Sequence, residues 1–240
     1  MGKAVYEAAK NGAEIVAGID INASALANAL PYPVYENISD FPGKADVIVD
    51  FSHHSALPSL LKYAKATRTP LVVATTGHTD EELALMRESA DEVAIFHSGN
   101  FSIGINLLVN LAKQAARTLG VDFDIEIVEK HHNKKLDAPS GTALMIADAV
   151  ADEREESEYV YDRHSVRKAR ESKEIGIHSV RGGTIVGEHE IIFAGNNETV
   201  SITHSAASRE IFATGALRAA VYLASKTTGL YSMSDLIEGK

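Results

Sequence analysis

Four apolar runs in the first hundred residues each close on small, polar or acidic residues. GAEIVAGID ends at Asp20, ADVIVDFS (45–52) at Phe51-Ser52, TPLVVATTG (69–77) at Thr75-Thr76-Gly77, and EVAIFHSGN (92–100) at Gly99-Asn100. ADVIVDFS is nearly unbroken in its apolar character, as parallel strands covered on both faces are. Helical stretches alternate with the runs. GKAVYEAAKN (2–11) is expected to be a helix stopped at Asn11-Gly12, and another is expected over 56–66. Thr79 followed three residues later by Glu82 predicts a capping box at the start of a third. Strand and helix repeating at these spacings predict an α/β fold with a doubly wound parallel sheet.

The second half has a different period. DFDIEIVE (122–129), EIGIHSV (174–180), GTIVGEHEIIF (183–193) and ETVSITH (198–204) alternate apolar and polar residues, the mark of strands with one wet face. Asn196-Asn197 supplies the turn between the last two. A helix is expected from Ser140, and the charged stretch 151–174 reads as a solvated connection. Residues 103–211 are therefore expected to form an α+β domain with a mixed open sheet. A long helix from about Ser208 to Lys226 would return to the first domain, residues 1–102, which residues 212–240 complete.

Composition narrows the function. With 23 Lys+Arg against 33 Asp+Glu, the net charge of −10 speaks against nucleic acid or an anionic membrane surface as partner. The chain has no Cys, which removes disulfides, Cys-ligated zinc and thiol catalysis. No stretch approaches the apolar length of a membrane span, and the first residues lack a signal-peptide core, so a cytoplasmic protein is expected.

Against that acidic background one segment stands out. In Glu129-Lys130-His131-His132-Asn133-Lys134-Lys135-Leu136-Asp137-Ala138-Pro139-Ser140-Gly141-Thr142, two His and three Lys fall within six residues. Ser140 suits a helix N-cap, which would turn the Gly141 and Thr142 amides outward as a cradle for a carboxylate or phosphate. Lys135 adds a cation that can also donate a proton, and His131 suits a general acid or base. Adjacent His131 and His132 at a strand end point to opposite sides, which argues against a shared metal ion, and no metal site is expected. In an open parallel sheet a ligand lies beyond the carboxyl ends of the strands, where Asp20, Thr75-Thr76 and Gly99 to Ser102 fall. Asp20 is placed as the acid that holds ribose hydroxyls in a dinucleotide fold, with Gly2 as the last glycine of the phosphate-binding fingerprint.

The signature HHxxKxDAPSGTA over 131–143 resembles that of the 4-hydroxy-tetrahydrodipicolinate reductases (dihydrodipicolinate reductases). DFS (50–52), ATTG (74–77), GNFSIGIN (99–106), RGG (181–183) and FATGALRAA (212–220) extend the resemblance over essentially the whole chain. The resemblance implies a Rossmann-type cofactor domain and a substrate-binding, tetramerisation domain. It makes His131 the proton donor/acceptor and Lys135 a proton donor, with His132, Lys135, Ser140, Gly141 and Thr142 on the substrate's carboxylates. Asp20, Ala74, Thr75, Thr76, Gly99, Asn100, Phe101 and Ser102 match cofactor contacts, Ala74 standing where many members have Gly. Relative to that family the first strand and most of the glycine-rich turn, roughly a dozen residues, are expected to be missing, so the domain is expected to be N-terminally truncated and its cofactor affinity reduced. The cofactor is expected to be NADH or NADPH, with NADH favoured because no Lys or Arg follows Asp20 closely. The residues alone also leave open a dehydrogenase for another small carboxylate, or a non-catalytic oligomeric binding protein.

Overall fold

The computed structural model describes residues 1–10, 12–26 and 29–239. Asn11 of the expected Asn11-Gly12 helix stop lies outside the described residues. The chain runs α1 (Gly2–Ala9), β1 (Gly18–Ile19), α2 (Ala23–Leu26), β2 (Val34–Tyr35), β3 (Ile48–Asp50), α3 (Leu57–Thr67), β4 (Leu71–Val73), α4 (Asp80–Ser89) and β5 (Ala94–His97). It continues through α5 (Ile103–Leu119), β6 (Asp124–His131), α6 (Gly141–Ala151), β7 (Glu158–Val160), β8 (Glu174–Arg181), β9 (Gly187–Ala194) and β10 (Thr199–Ala206). It closes with α7 (Glu210–Leu223), β11 (Gly229–Tyr231) and α8 (Met233–Glu238). Two compact units result: Met1–Ser102 with Glu210–Lys240, and Ile103–Arg209.

In the first unit the strands are parallel. β3, β4, β5 and β11 form one sheet in the order β11-β5-β4-β3. Their register aligns Asp50 with Val73 and Val73 with His97, so three connecting segments leave from one edge. Leu71, Val72, Val73, Ala94, Ile95 and Phe96 are fully buried, which accounts for the unbroken apolar runs. α4 opens with the expected capping box: Thr79 Oγ accepts from the Glu82 amide, and Glu82 accepts from the Thr79 amide at 2.9 Å. The parallel strands do not form a single sheet. β1 and β2 pair separately, and among the described residues no strand joins β1 to β3. On α7, the small residues Ala213, Gly215, Ala216, Ala219 and Ala220 form the buried stripe. Gly215 allows backbone contact, since a Cβ there would lie 1.7 Å from the Phe101 carbonyl oxygen.

The second unit is built on a mixed sheet in the order β10-β9-β6-β8-β7. β6 pairs in parallel with β8 and antiparallel with β9. α5 and α6 cover one face, burying Ile125, Ile127, Ile175, Ile177, Ile191 and Phe193 against Leu108, Ala112, Ile146 and Val150. Each such aliphatic side chain contributes ~1.5–3 kcal/mol of burial, which fixes the strand phase. The stretch 151–174 is largely exposed, as its charge suggests, but it is more than a connection. It holds β7 and is tied to the sheet through Arg163, which reaches Glu174 at 2.6 Å and Glu126 at 2.8 Å. Arg154 also donates to the Phe123 carbonyl at 2.6 Å.

Candidate active site

The phase set by the core places the site. β6 alternates strictly, and its buried positions are Ile125, Ile127, Glu129 and His131. The two polar residues thus continue the apolar face toward the end of the strand. Parallel pairing sets Arg181 of β8 beside His131, and antiparallel pairing sets His189 of β9 opposite Glu129. Lys130, on the opposite face, pairs with Glu188 at 3.0 Å.

Glu129 is the hub of this cluster and is fully buried. Arg181 grips it with both ends of the guanidinium: Nη2 donates to Oε1 at 2.6 Å and Nη1 to Oε2 at 2.8 Å. The Ser140 amide donates to Oε1 at 3.1 Å, and His131 Nδ1 lies 2.6 Å from Oε2. Burial by itself would raise this carboxyl, but hydrogen bonds from Arg181, His131 and Ser179 outweigh it and hold it at about 2. Glu129 is therefore a carboxylate throughout the physiological range. Arg181 also donates through Nη2 to the Asp137 carbonyl at 2.6 Å, which ties the following loop to the same hub.

That loop turns back after His131. The Lys135 amide donates to the His132 carbonyl at 3.1 Å, and the Asn133 amide to Gly183 at 3.3 Å. Lys135 Nζ pairs with Asp137 Oδ1 at 2.8 Å, which draws the Asp137 carboxyl below its ordinary value. The loop ends at a cis Ala138–Pro139 bond and runs into α6. Ser140 is the N-cap, its Oγ accepting from the Ala143 amide at 3.2 Å. Its hydroxyl also meets His189 Nε2 at 3.1 Å and is buried, so its task lies largely in holding the first turn of α6. Gly141 is exposed, and a Cβ there would meet nothing within 4 Å, which opens the helix start to an anion. Burial first, then the neighbouring His131, lowers the His189 ring to about 4, so it is neutral near pH 7.

His132 lies just past the end of β6. It lines a cavity of about 520 Å³ with Asn133, Lys134, Gly183 and Arg209, and Arg209 Nη2 lies 3.3 Å from its Nε2. His131 and His132 thus have different immediate partners, Glu129 for the one and Arg209 for the other. Glu129, Arg181, His189 and Arg209 were not singled out in the sequence as site residues. The signal for Glu129 was available: an acid in the apolar phase of an alternating strand demands a buried partner.

In the first unit, the segments leaving one edge of the β3–β4–β5 sheet enclose about 300 Å³ between Phe51–His54 and Ala74–Thr76. Thr75 is buried and donates to Asp50 Oδ2 at 2.9 Å, so Thr75 braces the loop from within. Gly77 has φ +82°, a conformation only glycine adopts at no cost, and the space around it is open. Gly99 is exposed, whereas Asn100, Phe101 and Ser102 are buried, with the Ser102 amide donating to Asn100 Oδ1 at 2.8 Å. These residues hold the loop in place, and Gly99 is its exposed point. Asp20 follows β1 and is exposed, and its Oδ1 accepts from the Asn22 amide at 2.8 Å. An exposed acid follows one strand, and exposed threonine and glycine residues follow two others.

A parallel-sheet unit joined in sequence to a mixed-sheet unit is an architecture shared with solved two-domain dehydrogenases. GenD2 from gentamicin A biosynthesis, solved in complex with NAD, shares this fold at 12% identity and a TM-score of 0.60, over 99% of this chain and 87% of its own. Residues 1–101 match the dihydrodipicolinate reductase N-terminus and residues 104–237 the C-terminus of the same family. The chain belongs to the dihydrodipicolinate reductase family. It is 52% identical to the 4-hydroxy-tetrahydrodipicolinate reductase of Caldanaerobacter subterraneus, over 99% of this chain and 94% of that protein. A dipicolinate-bound dihydrodipicolinate reductase from Paenisporosarcina sp. superposes with a TM-score of 0.78 at 27% identity, covering 96% of this chain and 92% of that one.

Proposed function

We propose that the chain reduces 4-hydroxy-tetrahydrodipicolinate to tetrahydrodipicolinate with NADH or NADPH, NADH being preferred, in the diaminopimelate route to lysine. The observation that carries this is the hub of the second unit: a buried carboxylate holds His131 at the start of a cationic loop that ends on a helix N-terminus. The bound nicotinamide supplies hydride to the substrate ring. His131 supplies the proton, from Nε2, the ring nitrogen that does not face Glu129. Lys135, His132 and the start of α6 at Ser140, Gly141 and Thr142 hold the two carboxylates, the cation and the helix dipole offsetting their charge. Lys135 serves as a second proton donor once substrate displaces Asp137. Asp20, Ala74 to Thr76 and Gly99 to Ser102 hold the cofactor, and Asp20 favours free ribose hydroxyls over a 2′-phosphate. The protein acts as a cytoplasmic homo-oligomer, a tetramer. The face of the mixed sheet opposite α5 and α6, with Val128 and Ile192 half-buried, is the surface suited to a second copy.

Turnover against a panel of small cyclic and linear carboxylates, each with NADH and NADPH, tests the assignment. The cyclic imine dicarboxylate should exceed every other substrate in kcat/KM by about 10²-fold or more, as a site built for two carboxylates discriminates. A better panel member would overturn it. A KM for NADPH tenfold below that for NADH would overturn the cofactor preference.

A further inference from the structure

Resting on the assignment of His131 as the proton donor, we infer that Glu129, clamped by Arg181, is a positioning residue that fixes the tautomer of His131 and makes Nε2 the only ring nitrogen able to exchange a proton. Glu129 is surrounded by donors, the Ser179 side chain among them. Oε1 receives Arg181 Nη2 at 2.6 Å and the Ser140 amide at 3.1 Å. Oε2 receives Arg181 Nη1 at 2.8 Å and stands 2.6 Å from His131 Nδ1. A guanidinium and a backbone amide can only donate, and an ionised carboxylate can only accept. Nδ1 must therefore carry its hydrogen in both protonation states of the ring. Proton exchange is left to Nε2.

The surroundings of the ring agree. Against His131 stand Glu129 on its own strand, Arg181 as its register partner on β8 and His189 on β9, while Lys135 acts on the neighbouring His189 and the Asp137 carbonyl accepts from Arg181. The His131 and His189 rings meet edge to face at 5.2 Å. His189 spends its Nε2 on Ser140 and does not compete for His131 Nδ1. Gly187 clears the exchanging edge: a Cβ there would stand 3.1 Å from His131 Nε2. Glu129 touches no reacting atom in this arrangement. It acts through the ring, as the buried acid does for the histidine of a catalytic triad.

Glu129→Gln is nearly isosteric and tests this. Its amide oxygen is drawn to the position facing Arg181 Nη2 and the Ser140 amide, which turns the NH2 toward His131. Nδ1 must then accept, and the neutral ring carries its hydrogen on Nε2. Nitrogen-15 NMR of labelled histidine should show Nδ1–H in the parent and Nε2–H in the variant. The kcat should fall by about 10²-fold or more, with KM for the imine changed less than about threefold. Should the single variant lose its fold because the half-buried Arg181 is left without its carboxylate partner, Glu129→Gln with Arg181→Gln removes both charges and is expected to give the same two results. An unchanged tautomer, or a kcat within about threefold of the parent, in a folded variant overturns the inference. A parent without reductase turnover would instead overturn the assigned function, and the NMR result would still decide the role of Glu129.

Discussion

His189 offers a test of the buried cluster that needs no substrate. Its ring is held to about 4, against an ordinary 6.5, by burial and by the neighbouring His131. Between those values the unfolded chain binds a proton that the folded chain refuses, so stability falls as pH falls through that window. The depressed value means that the full contribution is present above pH 6.5 and is lost by pH 4. Linkage over 2.5 units amounts to about 2 kcal/mol lost between pH 7 and pH 5, and about 3 kcal/mol by pH 4. His189→Gln keeps a donor near the Nε2 position for Ser140 but cannot titrate. The chain has no Trp, so urea unfolding is followed by far-UV circular dichroism at several pH values. Other groups titrate in both proteins, and the difference between the two curves isolates His189. That difference should move by about 2 kcal/mol in favour of the variant from pH 7 to pH 5. Parallel curves would refute the buried, neutral state of His189.

The start of α6 gives two further outcomes. Thr142→Val should raise KM for the imine about tenfold while kcat stays within about threefold, because a ground-state contact is lost. Ser140→Ala should also raise KM and, with the cap and the partner of a buried histidine both gone, lower the unfolding free energy by about 1–2 kcal/mol in the urea experiment.

Much of this molecule can be read from local chemistry. The Ser140 cap and the Thr79–Glu82 box depend on residues three apart, and both form as the sequence suggests. The apolar runs at 48–50, 71–73 and 94–97 become strands because nothing but a covered sheet can take them. Long-range pairing is less legible. Arg181 meets Glu129 only through the parallel register of β6 with β8, fifty residues away in sequence, and no local pattern encodes that register. β7 is three residues long inside a charged stretch, too short for its alternation to show against Arg154, Arg163 and Arg170. Ser140 was legible as a residue of the site, but the burial of its hydroxyl against His189 needed the fold.

The most direct test of the account is single-turnover reduction of 4-hydroxy-tetrahydrodipicolinate by the parent, His131→Gln and Lys135→Ala at saturating NADH. The parent should turn over, and each variant should be slower in the chemical step by about 10²-fold or more while remaining folded. Rates in both variants within about threefold of the parent would show that the proton comes from elsewhere and that the loop is not the catalytic centre.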